Sequence, residues 1–343
     1  MRLPRLKQIP GHTRHYFHCL SRVVDRQFLF EAAEREQFAR YLREYKAFCG
    51  VRVLTYCILS NHFHLLLEVP ERPAQPLTGE QWVARLEGLS GAALTAAAAR
   101  QRLAMFRQAG DAVGERQFID QACATLWDLS GFLKRLKQRF TQWYNRQHGR
   151  KGTLWEERFK SVLVEGAGET LATVAAYVDL NPVRAGLVED PKDYRWCGYG
   201  EAVAGRRKAQ EGLRAVIAGG EHVVEQRNTL DQPLAKYREW LFGRGEQREG
   251  TTETGEPLRK GFTREAVLAV VTARGQLSLP EYLRLRVRYF ADGTIFGTRG
   301  FVDEIFTAVR GRFGARRQTG ARPMRGLASG LCTLRDLQKR VFA

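Results

Sequence analysis

Four side chains in this sequence have the types and spacing to act on one phosphate. His62 and His64 stand two apart in NHFHLLLEVP. Side chains alternate faces along a strand, so both imidazoles would share one face while Phe63 points to the other. Two imidazoles held on a rigid strand can grip a single metal ion. Far downstream, in YVDLNPVRAG, Tyr177 and Asn181 are four apart, which puts them one turn from each other on a helix. A tyrosine hydroxyl can attack a phosphodiester and form a covalent intermediate. That attack needs the phosphate charge neutralised, which a divalent cation supplies. The carbonyl oxygen of Asn181 offers a third ligand beside the two histidines. Each feature alone has a plainer reading: a His-x-His pair as half-buried polar residues, and a helix tyrosine as a core residue with a satisfied hydroxyl.

The elements that must position these residues are legible. Val51 to Leu59 and His62 to Val69 read as two strands around a polar turn at Ser60-Asn61, rich in β-branched, leucine and aromatic residues. Arg14 to Val23 alternates as a first strand. Glu31 to Cys49 has helical spacing, with Phe38, Tyr41, Leu42 and Tyr45 in one stripe and Gly50 as its stop. Leu129 to Gln147 is a second amphipathic helix with Phe132, Leu133, Leu136, Phe140 and Trp143 inward and a basic outer face. Phe159 to Glu165 is a fourth strand, and Glu169 to Asn181 a helix stopped by Pro182. The order β-α-β-β-α-β-α predicts an α+β fold. Its core is a ferredoxin-like split β-α-β unit with an antiparallel sheet, interrupted by a helical insertion at about 71–125.

Residues 201–260 read as a connecting region, with a linker at 243–256, and residues 261–343 as a helical C-terminal extension. The helices expected there are Thr263 to Arg274, Leu279 to Phe290 and Phe301 to Arg312. With their arginines they make a candidate DNA-binding module, or equally a helical packing appendage.

Composition narrows the partners. Lys plus Arg number 55 against 37 acidic residues, a net charge of +18. That excess favours a polyanion, of which nucleic acid is the commonest. No apolar run reaches the length of a membrane span, and the basic N-terminus lacks a signal-peptide core. The six cysteines are scattered without a C-x-x-C pair, so neither a zinc site nor a disulfide framework is indicated. No P-loop is present, and no nucleotide triphosphate is expected.

NHFHLLLEVP, then GTLWEERFKSVLVE, then YVDLNPVRAGLVEDPKDYRWCGY, taken in that order, resemble the single-tyrosine His-hydrophobic-His transposases, and most nearly their REP-associated branch. The resemblance covers roughly residues 10–200, so 1–200 would be the catalytic domain. It implies that Tyr177 is the nucleophile. His62 and His64, with Asn181 at the third-ligand position, would bind Mg2+ or Mn2+; imidazole suits the softer Mn2+ better. The implied reaction cuts single-stranded DNA near hairpins, leaving a 5′-phosphotyrosine and a free 3′-hydroxyl, and needs no energy source. A cytoplasmic, nucleoid-associated bacterial protein is implied, with homodimerisation left open. The alternative is a non-catalytic DNA- or RNA-binding regulator that keeps the fold.

Arg158, Lys160 and Arg184 are candidate phosphate contacts. Trp155 reads as packing under a turn, with base stacking as the rival. Tyr144, four residues before His148, is the rival nucleophile. His12, His15 and His18 read as structural or DNA-contacting. Gly166 and Gly168 read as a joint that lets the tyrosine helix swing.

Overall fold

The computed structural model describes residues 9, 11–188, 190–219, 237, 295–315, 317–323 and 330–334. Its centre is built from β1 (Arg14–Arg22), β2 (Arg52–Ile58), β3 (His62–Pro70) and β4 (Lys160–Val164). The strands lie in the order β2-β3-β1-β4, all antiparallel. α1 (Ala32–Cys49) makes the crossover from β1 to β2, and α5 (Leu129–Gln147) precedes β4. This is the split β-α-β arrangement expected from the sequence. Both helices start and stop for local reasons. Glu31 and Glu34 form a reciprocal cap at the start of α1, and Gly50 ends it at φ 70°. Asp128 accepts a hydrogen bond from the Gly131 amide at the start of α5.

The strands are buried almost throughout because both sheet faces are covered. On one face, α1 and α5 close an aromatic core of Phe30, Phe38, Phe63, Phe140 and Trp155. The Phe38 ring lies 4.8 Å from Phe63 and 5.1 Å from Phe140, centroid to centroid. The insertion forms three helices, α2 (Gly79–Glu87), α3 (Ala93–Gln108) and α4 (Ala112–Cys123). Arg85 ties it to the end of α1, donating to the carbonyls of Ala47 and Phe48 at 2.9 and 2.7 Å.

The other face carries α6 (Gly168–Asp179), the four-residue α7 (Asn181–Arg184), α8 (Gly198–Val203) and α9 (Arg207–Ile217). The YRWCGY stretch anchors this layer to the edge of β2. The Ile58 amide donates to the Trp196 carbonyl, and the Tyr194 hydroxyl donates to the Ile58 carbonyl at 2.7 Å. Gly198 is required by close approach, since a Cβ there would run into Thr55.

The C-terminal region departs from the all-helical expectation. β5 (Ile295–Thr298) pairs parallel to β4, and β7 (Leu331–Leu334) and β6 (Arg322–Pro323) continue the sheet to seven strands. Between them α10 (Arg299–Ala308) forms at the place where a helix was expected. Four-residue strands such as IFGT and LCTL are too short for periodicity to separate them from helix or loop. Their pairing comes from the free edge of β4. The helices expected at 263–274 and 279–290, and the linker at 243–256, lie outside the described residues.

Candidate active site

Strand register decides which side chains meet. In β3, Phe63, Leu65 and Leu67 join the aromatic core, so His62, His64 and Leu66 face α6. In β1, Leu20 pairs with His64 and Arg22 pairs with His62. His18, Leu20 and Arg22 therefore share the histidine face. In β4, Lys160 pairs with Leu20, which places it on the same face one strand further on. One row across the sheet thus reads His64, Leu20, Lys160.

Tyr177 comes to this face from α6. Its ring centroid lies 5.6 Å from that of His64 and 5.4 Å from that of His18, edge-on to both. The His62 and His64 rings are 5.1 Å apart. The Arg184 guanidinium covers the Tyr177 ring, with Cζ 4.7 Å from the centroid. Tyr177 has no exposed surface, whereas His62 is part exposed, so the site opens to solvent on the His62 side.

Both histidines of the pair have one ring nitrogen engaged. His62 Nδ1 meets Asn61 Oδ1 at 2.6 Å, which makes Nδ1 the donor and leaves Nε2 as the lone-pair nitrogen. His64 Nδ1 meets His18 Nε2 at 2.9 Å. Burial, and then the charges of Arg22 and Arg184, push the His62 pKa down to about 3. Burial also holds His64 well below the usual imidazole range, with neighbouring His62 and His18 adding to the effect. Both rings are therefore neutral at physiological pH, the form a metal requires.

Asn181 has a structural task. Its Nδ2 donates to the carbonyls of Tyr177 and Val178 at 2.9 and 3.1 Å. Pro182 has no N–H to satisfy the Val178 carbonyl, so the amide nitrogen replaces it. Only Oδ1 remains to face a cation. Among the described residues no group of three His, Cys, Asp or Glu can hold a metal. The ligands expected from the sequence would be two imidazoles and one amide oxygen. That suits Mg2+ or Mn2+, which keep oxygen ligands.

Two cations beside the pair have unmet donors. Among the described residues, Arg22 Nε and Arg184 Nη1 are buried with no hydrogen-bond partner. Buried guanidinium donors left open are costly and call for an anion. Arg22 did not emerge from the sequence; its signal was its place in β1, visible only once register is known. Arg184 and Lys160 are half-buried around the site, while Arg158 is exposed on the approach to β4.

The other candidates lie elsewhere. Tyr144 belongs to the α1/α5 layer, across the sheet from the histidine pair. Its ring stacks on His148 at 4.1 Å, and His148 in turn meets Glu34. Trp155 packs in the same layer and its Nε1 donates to Thr141 Oγ1. His12 meets Glu304 and His15 accepts from the Ile9 amide, both away from the pair. Gly166 has a packing reason for its type, since a Cβ would overlap the Tyr16 ring.

Asp179, two residues after Tyr177, was also missed. It is fully buried and accepts from Thr55 Oγ1 (2.6 Å), the Tyr237 hydroxyl (2.7 Å) and the Tyr199 amide (3.3 Å). A register shift between Val53 and Thr55 turns Thr55 toward α6. Burial raises the Asp179 pKa to about 7, even though all three donors favour the charged form.

Comparison with known proteins bears on the histidine half of this site. Residues 12–100 match the family of IS200-like transposases. That stretch, about a quarter of the chain, holds β1 through β3, and so His18, Arg22, His62 and His64. Over those residues the match agrees with the transposase resemblance read from the sequence. A solved structure of a REP-associated tyrosine transposase bound to a REP hairpin aligns at 12% identity. The alignment covers 60% of this chain and 86% of that one, with a TM-score of 0.37. No curated protein matches the chain. Among the described residues no helix is long and apolar enough to cross a membrane.

Proposed function

We propose that the protein nicks and rejoins single-stranded DNA beside hairpins through a covalent 5′-phosphotyrosine on Tyr177. The observation that carries this reading is the convergence of Tyr177 on His64 beside two guanidiniums with open donors. In this mechanism the Arg22 and Arg184 donors bind the non-bridging oxygens of the scissile phosphate. Lys160 neutralises a neighbouring phosphate on the same face, and Arg158 guides the strand inward. Tyr177 Oη attacks phosphorus, the bond to the 3′-oxygen breaks, and that oxygen leaves as a hydroxyl. The phosphodiester energy is kept in the tyrosine ester, so the reverse attack by a 3′-hydroxyl joins strands. His62, His64 and Asn181 Oδ1 would hold Mg2+ or Mn2+, which when bound draws charge from the phosphate. Because the Tyr177 ring is sealed, strand entry displaces the Arg184 guanidinium from it onto the phosphate.

The test is incubation with labelled single-stranded hairpins and Mn2+, followed by a denaturing gel. A protein-linked product is expected, lost completely in Tyr177→Phe while strand affinity stays within about threefold. An adduct that persists in Tyr177→Phe and disappears in Tyr144→Phe would move the role to Tyr144. Full binding with no adduct from the parent would favour the non-catalytic regulator.

A further inference from the structure

His18 lies one strand from His64, on the same sheet face and two residues from its register partner Leu20. Both rings are almost fully buried. Their planes differ by only 3°, and the centroids are 5.2 Å apart against an N···N distance of 2.9 Å. The difference equals about two ring radii, so the rings meet end to end in one plane rather than face to face. A contact of this kind holds one proton between two nitrogens. If His64 Nδ1 carries it, His64 Nε2 is a bare lone pair. If His18 Nε2 carries it, His64 is left as the Nε2–H tautomer and cannot bind a cation through that nitrogen. Asn61 settles the same question for His62, because an amide oxygen can only accept. Imidazole can do either, so the partner's own tautomer matters for His64.

We infer that His18 is a positioning residue: its Nε2 accepts the proton of His64 Nδ1 and so keeps His64 Nε2 available to a divalent cation. The inference rests on the proposed metal-assisted reading of the site and adds the device that makes His64 a ligand. The chain gains a ring rather than a carboxylate here because the site is walled by Tyr177 and Leu66, where an unpaired carboxylate would be costly. Interactions that orient a ligand from behind typically change metal affinity about 10–100-fold when removed.

The experiment uses the full chain. In the unmutated protein without metal, long-range 15N–1H NMR of the histidine rings should find His64 protonated at Nδ1. Finding the Nε2–H tautomer overturns the inference even if a DNA adduct forms. Mn2+ titration followed by electron paramagnetic resonance should show affinity about 10–100-fold weaker in His18→Phe. His18→Gln, whose amide oxygen can still accept, should recover to within about threefold of the parent. A His18→Phe protein that binds Mn2+ as the parent does, or a folded His18→Gln no better than His18→Phe, also overturns it. If His18→Phe fails to fold, the NMR result on the parent decides. Correct tautomer and Mn2+ binding without any DNA adduct would instead sink the proposed reaction and leave the role of His18 standing.

Discussion

The two faces of one strand carry opposite chemistry. From β3, Phe63 enters a layer where Phe30, Phe38, Phe140 and Trp155 pack ring against ring. One residue to either side, His62 and His64 enter a layer holding Arg22, Arg184, His18, Tyr177 and Asp179. The aromatic layer needs nothing from outside the protein. The histidine layer carries unmet guanidinium donors and a sealed phenol. Each buried polar group there costs free energy that the α1/α5 layer has to offset. Stability and chemistry are thus divided between the faces, with β1 and β3 as the wall between them.

That division can be tested from both sides. Phe140 is fully buried and touches Phe30 and Phe38. Phe140→Ala should cost about 3–5 kcal/mol in urea unfolding. Mn2+ affinity of the protein that remains folded should be unchanged; a weakened site would mean the faces are not independent.

Asp179 probes the polar side. Its carboxyl titrates near 7 when folded, against 3.8 as the ordinary value. The native state therefore binds more protons than the unfolded chain between those values. Stability contributed by this group is present at low pH and declines as pH rises from about 4 to about 7, on the order of 4 kcal/mol in all. Asp179→Asn should flatten that slope in urea titrations across the window; an unchanged slope would place the proton elsewhere.

The smallest effect is expected at Tyr144. Tyr144→Phe should shift stability by less than about 1 kcal/mol and leave DNA-adduct formation intact, because its ring lies in the aromatic layer. A lost adduct would break the assignment of chemistry to one face.

The sequence on its own determined the elements and the alternation within them. His62 and His64 had to share a face wherever that strand lay, because side-chain period is local. Helix α5 was legible end to end, since its apolar stripe is contiguous in the chain. Tyr177 and Asn181 were set one turn apart by helical spacing, but the helix expected to run to Asn181 ends at Asp179. Asn181 and Pro182 open the short α7, where a proline lacking its N–H is tolerated. What the tertiary structure decided depends on register and on contacts between distant segments. Arg22 joined the site because it pairs with His62, and His18 because it lies diagonally across from His64. Thr55 reached Asp179 through a bulge, and Tyr237 closed on that carboxylate from beyond residue 200. The C-terminal strands formed because β4 offered an open edge to short segments that have no pattern of their own. A sequence states what each strand presents on either side; only the pairing of strands states which presented groups meet.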